Sequence, residues 1–314
     1  MTRRVAAVDC GTNSLRLLVA DVDPERAGLT DVTRRMEVVR LGQGVDQTGR
    51  LAPEALARTI AVLRDYASVI AGSGVQAVRM VATSATRDAS NAADFVAMVE
   101  EVLGVAPEVL TGDEEAVLSF TGATAELAGG PDPGPFLVAD IGGGSTEFVL
   151  GPAGGLPGER ISVNIGCVRM TERHLHGDPP SYQEVAAATA DIDATLATVA
   201  AAVPVSQART LVGLAGSVAT VVGIAIGLPV YDSARIHHAR VPAAGVHAVT
   251  RGLLTQTRAE RAAIGLMHPG RVDVIGGGAL ILDRIMQRFG FAGVLASEHD
   301  ILDGMAWSLA REHG

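Results

Sequence analysis

Aromatic residues are scarce in this sequence, at 3% of 314 residues, although 48% of the residues are hydrophobic. An apolar core must therefore consist mainly of Ala, Val, Leu and Ile side chains. This composition favours alternating strands and helices over a sandwich of aromatic-rich sheets. Because the length is sufficient for two domains of ordinary size, we expect a two-domain α/β protein.

Cysteine and positive charge are also limited. Cys10 and Cys167 are the two cysteines, too few for a disulfide framework, and we expect both to be reduced core residues of a cytoplasmic protein. The net charge of −10 argues against a surface that binds nucleic acid. The first apolar run, which follows Arg4, ends at Asp9 and is shorter than a signal peptide requires.

Charged residues are absent from one long stretch, residues 210–231. Its length alone is compatible with a membrane span. The stretch contains several glycines and a proline, however, and residues 211–216 (Leu-Val-Gly-Leu-Ala-Gly) are typical of a strand that enters a turn. We therefore predict a strand, a turn and a buried helix here, with no membrane association.

Two stretches of the sequence, residues 5–19 and 136–150, share one pattern. Each is a short apolar run, then Asp-x-Gly-x-x-Ser, then a second apolar run, which predicts a β-hairpin with a glycine-bearing tip. Successive N–H groups at such a tip can form a concave anion site. Asp9 and Asp140, at the ends of the first strands, add carboxylate oxygens that suit Mg²⁺ carrying phosphate. Two matching copies predict a phosphate site, which one copy would support only weakly.

Four motifs in chain order give a more specific assignment. They are Asp9-Cys-Gly-Thr-Asn-Ser14, Ala82-Thr-Ser-Ala-Thr-Arg87, Thr111-Gly-Asp-Glu-Glu-Ala116 and Asp140-Ile-Gly-Gly-Gly-Ser-Thr-Glu147. Together they resemble the exopolyphosphatase and guanosine pentaphosphate phosphohydrolase (Ppx/GppA) family, across essentially the whole chain. The resemblance implies the superfold of actin, hexokinase and the heat-shock ATPases, with two ribonuclease-H-like (actin-like ATPase) α/β domains and an interdomain cleft. It also implies a homodimer.

Residues 129–135 (Gly-Gly-Pro-Asp-Pro-Gly-Pro) form the clearest break in the sequence. They cannot continue a helix or a central strand. We place the domain boundary here, which gives an N-terminal domain of residues 1–128 and a C-terminal domain of residues 129–314. Each domain should begin with three strands, and the third strands are predicted near residues 35–41 and 160–164.

Several residues are predicted to bind substrate phosphates. Arg87 follows a strand and is suited to bidentate phosphate binding, with a surface salt bridge as the alternative. Gly216 and Ser217, at a strand-to-helix turn, are a third candidate anion contact, and a purely structural turn is equally compatible. The two hairpin tips supply the others, which are Gly11, Thr12, Asn13, Ser14, Gly142, Gly143, Gly144 and Ser145.

Carboxylates are the candidates for catalysis and metal binding. The residues alone do not distinguish Asp113, Glu114 and Glu115 as a general base, since acidic residues are common in first helical turns. The resemblance implies that Glu115 is the base. It also implies that Glu147 is a second catalytic carboxylate, which orients water or metal. The predicted metal ligands are Asp9, Asp140 and Glu147, directly or through bound water.

The leading hypothesis is a Mg²⁺-dependent exopolyphosphatase that releases terminal phosphate from inorganic polyphosphate. Mn²⁺ is the alternative ion, and a monovalent cation is a further candidate cofactor. Hydrolysis of the γ-phosphate of guanosine pentaphosphate and a kinase of the same superfold are alternative activities. A non-enzymatic actin-like protein that binds phosphate or nucleotide is the alternative of another class. Longer family members carry additional C-terminal helical domains, so we expect a preference for short polyphosphates here.

The histidines show no spacing typical of metal ligands. His174 and His176 are two residues apart on a predicted helix and point to different sides. We predict that these two, with His237, His238 and His247, are surface or partner-facing residues. His299 is left without an assigned role.

Overall fold

The computed structural model describes residues 2–23 and 28–311 of the chain. Contacts between Cα atoms divide the chain into unit 1, residues 1–122 and 300–314, and unit 2, residues 123–299. Each unit is built around one β-sheet that combines antiparallel and parallel strands.

Unit 1 contains, within the described residues, a five-stranded sheet. Its strands are β1 (Arg3–Cys10), β2 (Ser14–Asp23), β3 (Gly28–Val38), β4 (Ala77–Ala82) and β5 (Glu108–Val109). The helices that accompany them are α1 (Val45–Thr48), α2 (Pro53–Gly72), α3 (Ser84–Arg87), α4 (Ala92–Leu103) and α5 (Gly112–Thr124). The strand order is β3-β2-β1-β4-β5, antiparallel from β1 to β3 and parallel from β1 to β5.

Unit 2 repeats this arrangement with its own hairpin. Its strands are β6 (Phe136–Ile141), β7 (Thr146–Gly151), β8 (Arg160–Val163), β9 (Thr210–Leu214), β10 (Arg240–Pro242) and β11 (Gly293–Ala296). Its helices are α6 (Cys167–His174), α7 (Tyr182–Ala202), α8 (Ala215–Ala225), α9 (Ser233–Ile236), α10 (Ala243–Thr255), α11 (Arg258–Ala262) and α12 (Ile275–Phe289). The strand order is β10-β11-β9-β6-β7-β8.

The repetition confirms the predicted fold class of two ribonuclease-H-like α/β domains. In both sheets an antiparallel hairpin and a third strand lie on one side and parallel strands lie on the other, and in unit 2 the edge strand β10 is antiparallel to β11. β6 and β7 are buried at every position, which is why each reads as a continuous apolar run interrupted by one carboxylate. The charge-free stretch forms β9 and α8, as predicted.

The predicted domain boundaries are corrected by the last helix, α13 (Ile301–Arg311). Residues 300–314 belong to unit 1 rather than to a domain of residues 129–314, and the first crossing between units follows Gly122 instead of residue 128. The physical reason is packing, because Ile301, Met305 and other apolar residues of α13 complete a core cluster with β1 and β2. An amphipathic pattern predicts the helix but does not identify the sheet that covers it.

The third strand of unit 1 also differs from its prediction. β3 begins seven residues before the predicted range of 35–41 and ends at Val38. Its side chains are mostly exposed and polar, so the alternation that marks a half-buried strand is missing. Val39 and Arg40 donate their N–H groups to the carbonyl oxygen of Asn13 and leave the strand ladder.

α7 is, among the described residues, the one helix long and apolar enough to cross a membrane by length and composition. Its buried face, which includes Ile192, belongs to the core of unit 2. Asp191 is hydrogen-bonded to His174, and Asp193 accepts two hydrogen bonds from Arg284. These contacts are those of a helix packed against a folded unit.

The start of α7 predicts a pH dependence of stability. The N–H and side chain of Ser181, with further N–H groups of His176 and Gly177, hydrogen-bond Glu184 and lower the pKa of its carboxyl from 4.5 to about 2. A depressed carboxyl pKa stabilises the folded state fully above about pH 5, and this contribution is lost as the pH falls towards 2. We expect the melting temperature of Glu184→Gln to fall less steeply over this range than that of the wild type, as measured by circular dichroism. Parallel curves would contradict this role.

Candidate active site

The first hairpin ends in an ion pair. Asp9, at the end of β1, lies opposite Arg16 of β2 in the strand register. Arg16 donates from Nε (2.9 Å) and Nη2 (2.6 Å) to Asp9 Oδ2, and its Nη1 donates to Asp300 Oδ2. Asp9 is 3% exposed, and its Oδ1 atom is buried with no hydrogen-bond partner among the described residues. Burial raises the pKa of the Asp9 carboxyl, and Arg16 opposes this shift.

The second hairpin has the same register, but two carboxylates face each other where the first hairpin has an ion pair. Asp140 lies directly opposite Glu147, which takes the place that Arg16 has in the first hairpin. Both carboxylates are buried, at 8% and 2% exposure. Opposed residues in antiparallel strands have Cβ atoms about 4.5–5.5 Å apart, a distance at which like charges repel. Ser162 Oγ donates to Glu147 Oε1 at 2.7 Å. Two buried, opposed carboxylates fit a bound divalent cation with oxygen ligands.

The tip of the first hairpin is held by its carbonyl groups. Thr12 O accepts the N–H of Gly42, and Asn13 O accepts the N–H groups of Val39 and Arg40. In a trans peptide the C=O and the N–H of the same unit point in opposite directions. The N–H groups of Asn13 and Ser14 therefore point away from the 39–42 loop. The approach is close, since a Cβ on Gly42 would lie 2.3 Å from Thr12 Cγ2.

The tip of the second hairpin is held in the same way by the start of α6. The carbonyl oxygens of Gly142 and Gly143 accept N–H groups from residues 167–169, and Gly144 O accepts Arg169 Nε at 2.7 Å. By the same peptide geometry, the N–H groups of Gly143, Gly144 and Ser145 point away from α6. Gly11 and Gly142 also donate to Ser14 O and Ser145 O at the same distance, 3.0 Å. Both tips thus present a row of N–H groups on one side, which is the arrangement of an anion site.

The three acidic residues that the sequence could not distinguish have different environments. Glu114 exchanges hydrogen bonds with Thr111 and caps the start of α5. Asp113 and Glu114 are exposed, whereas Glu115 is buried at 9% exposure. Glu115 Oε2 accepts a hydrogen bond of 3.2 Å from Arg87 Nη1. A buried, oriented carboxylate suits a general base better than an exposed capping residue.

Helix α3 connects this carboxylate to the first hairpin tip. Its first residue, Ser84, shares a 2.8 Å hydrogen bond with the hydroxyl of Thr12. Its last residue, Arg87, bonds Glu115 and the carbonyl oxygen of Leu110 at 2.7 Å. The structure therefore places Arg87 beside the proposed base, so that the guanidinium orients this carboxylate and carries its compensating charge.

The predicted third anion contact lies beside the second tip. Gly216 and Ser217 are in the first turn of α8, and Ser217 is hydrogen-bonded to the thiol of Cys167, whose N–H donates to Gly142 O. Arg271 lies over Gly216 so closely that a Cβ there would be 2.1 Å from Nη2. A helix start flanked by a guanidinium has the charge expected of a phosphate contact.

Sequence reasoning missed three charged residues at these sites, Arg16, Asp300 and Arg271. The register of the first hairpin could have indicated Arg16, because it is the counterpart of Glu147. No local signal marks Asp300 or Arg271, whose partners are distant in the sequence. The interdomain cleft that the family resemblance implies stays a prediction, as does the role of Asp9 and Asp140 as metal ligands.

Comparisons with known proteins identify the family of the chain. The Ppx/GppA phosphatase family matches residues 18–313. Exopolyphosphatase 2 of Mycobacterium tuberculosis is 51% identical over 318 aligned residues, covering 98% of each chain. The crystal structure of an exopolyphosphatase-like protein is 43% identical with a TM-score of 0.95, covering 99% of each chain. The PPX-GPPA enzyme of Aquifex aeolicus is 29% identical with a TM-score of 0.81, covering 98% of this chain and 100% of that one. The chain therefore belongs to the Ppx/GppA phosphatase family.

Proposed function

We propose that this protein is an exopolyphosphatase, which hydrolyses the terminal phosphoanhydride of inorganic polyphosphate. The observation that carries the proposal is the pair of hairpin tips, each with its carbonyl groups bonded and its N–H groups turned to one side. Successive tetrahedral phosphates match such rows of donors. The 51% identity to an exopolyphosphatase over nearly the full length supports the same substrate.

Mg²⁺ is the proposed cofactor, with Mn²⁺ as the alternative. Asp140 and Glu147 would hold the ion, because they are opposed, buried and of the same charge. Asp9 is a weaker candidate, since Arg16 already bonds its Oδ2 and only Oδ1 remains for a metal-bound water. When bound, a divalent cation neutralises phosphate oxygens and so lowers the barrier to attack on phosphorus.

The protein side chains supply the remaining chemistry. Glu115 accepts the proton of the attacking water, an effect typically of about 10²–10⁴ in rate. Arg87 holds the Glu115 carboxylate in position. Ser217 and the start of α8 bind a further phosphate, next to the guanidinium of Arg271.

We also propose that the protein is a cytoplasmic homodimer. Cys10 and Cys167 are free and buried, which agrees with a reducing compartment. Light scattering after size-exclusion chromatography would measure the oligomeric state directly.

A substrate panel tests the proposed activity. We expect Mg²⁺-dependent phosphate release from polyphosphate, faster with short than with very long chains and faster than from guanosine pentaphosphate. Phosphate release is measured for all three substrates at equal concentrations of terminal phosphate, with and without Mg²⁺. Faster turnover of guanosine pentaphosphate would reassign the substrate, and no release from any of them would favour a binding protein.

A further inference from the structure

A cluster of histidines and one glutamate lies within unit 2, outside the proposed catalytic residues. Glu126 Oε2 is 3.1 Å from His237 Nε2 and 3.5 Å from His299 Nδ1. Each of the three residues offers one ligand atom, and these ligand atoms lie within 4.8 Å of one another. The absence of metal-ligand spacing among the histidines refers to their separation along the sequence, and not to their distances in the folded structure. Folding brings His237 and His299 together across 62 positions (299 − 237).

Two distances in the cluster are close to those between ligand atoms around a tetrahedral ion. Zn–N and Zn–O bonds of about 2.0–2.2 Å at tetrahedral angles place neighbouring ligand atoms about 3.3–3.6 Å apart. The two distances from Glu126 are close to this range. Imidazole with one carboxylate suits Zn²⁺ and similar transition ions, whereas Mg²⁺ prefers oxygen ligands.

The surroundings of the cluster also fit an ion. The side chains of His237 and His299 are 21% and 27% exposed, so an ion can enter from solvent and is then partly shielded. The ring of His238 stacks on that of His237 at 3.8 Å, and its Nε2 atom is buried with no hydrogen-bond partner in the described part of the chain. His238 also adopts a left-handed backbone conformation, φ 59°, which is strained for a histidine.

We propose that Glu126, His237 and His299 form a binding site for a divalent transition-metal ion, with Zn²⁺ as the best match and water at the fourth position. Neutral imidazole is the form that ligates a metal.

Metal binding requires one proton to move. His237 Nδ1 accepts the N–H of Glu298 at 3.1 Å, so without metal the ring proton is on Nε2 and is shared with Glu126. Ligation by Nε2 transfers this proton to Nδ1 and breaks the bond to Glu298. The ion must therefore compensate for a lost hydrogen bond, and we expect a reversible site that is sensitive to metal concentration.

The location of the site indicates what an ion would do. Glu126 lies three residues after the chain enters unit 2, and His299 is the last residue of that unit. His237 follows α9, far from both along the sequence. A bound ion would therefore connect the first and last segments of unit 2 to each other and to the end of α9.

Calorimetric titration of the metal-free full chain with Zn²⁺, in the presence of excess Mg²⁺, tests the proposal. We expect one Zn²⁺ per chain and a rise in melting temperature. His299→Ala and Glu126→Gln should each weaken Zn²⁺ binding at least about tenfold. A change to a residue that only supports a metal ligand already lowers metal affinity by about tenfold or more, and a change to a ligand itself should cost at least as much. His247→Ala is the matched control, because His247 pairs with Asp283 outside the cluster and should leave binding unchanged.

Two results would overturn the assignment. The first is that the wild type does not bind Zn²⁺ under these conditions. The second is Zn²⁺ binding of equal strength in the wild type, His299→Ala and Glu126→Gln. Because Glu126→Gln changes an exposed, isosteric side chain, it remains informative if His299→Ala fails to fold. Neither result depends on polyphosphate hydrolysis, so the metal site and the proposed activity are tested separately.

Discussion

Glu115→Gln is expected to lower kcat for polyphosphate hydrolysis by about a hundredfold or more, with little change in KM. The amide keeps the shape of the side chain and can still meet Arg87, but it cannot accept a proton from water. Loss of a group that acts only in the transition state lowers kcat and kcat/KM together. Steady-state phosphate release over a range of polyphosphate concentrations measures both constants.

The neighbouring residue provides a matched control. Glu114→Gln makes the same chemical change one position earlier, on an exposed side chain that caps α5 through Thr111. We expect nearly full activity and a slightly lower melting temperature, because the cap is weakened. Retained turnover in Glu115→Gln, or an equal loss in Glu114→Gln, would remove Glu115 from the role of general base.

The difference between these neighbours shows what the sequence could and could not predict. The acidic residues 113–115 all lie in the first turn of a helix, and the sequence does not distinguish between them. Only the fold shows that Glu115 is buried and that Glu114 caps the helix. The paired hairpins, in contrast, were predictable because short apolar runs and glycine-bearing tips are local properties. Their registers also follow directly, since each tip fixes which residues face each other.

Features that depend on distant partners were not predictable. α13 is recognisable as an amphipathic helix, yet its packing against β1 and β2 depends on the path of the whole chain. The same holds for Asp300, whose bond to Arg16 spans 284 positions. The cluster of Glu126, His237 and His299 belongs to this class as well. In each case the residue type suggested several roles, and only the tertiary structure selected a partner.

The two hairpins diverge at one position, and this difference supports the proposed position of the metal ion. Opposite Asp9 the chain carries Arg16, whereas opposite Asp140 it carries Glu147. Arg16 bonds the first carboxylate within the protein itself, at 2.6 Å, and is shared with Asp300. Two opposed carboxylates supply oxygen ligands of the kind that a divalent cation prefers. We infer that the first hairpin, in which Arg16 bonds both Asp9 and Asp300, supports phosphate without a metal ion and that the second provides the metal ligands.

Asp140→Asn is therefore expected to abolish most of the stabilisation by Mg²⁺ and to lower kcat/KM by about a hundredfold or more. A ligand that binds only the folded state at 100 times its Kd stabilises that state by about 2.7 kcal/mol, which appears as a higher melting temperature. Removing one of two carboxylate ligands weakens the site, so that this shift shrinks. Thermal unfolding with increasing Mg²⁺, together with phosphate-release kinetics, measures both effects.

Asp9→Asn is the matched comparison in the other hairpin. It removes the partner of Arg16 and should lower the melting temperature without Mg²⁺, because a guanidinium loses part of its compensating charge. Its response to Mg²⁺ should stay close to that of the wild type. The reverse pattern, in which Asp9→Asn loses the Mg²⁺ response and Asp140→Asn keeps it, would place the metal on the first hairpin, since the carboxylate that responds to the ion identifies the hairpin that holds it.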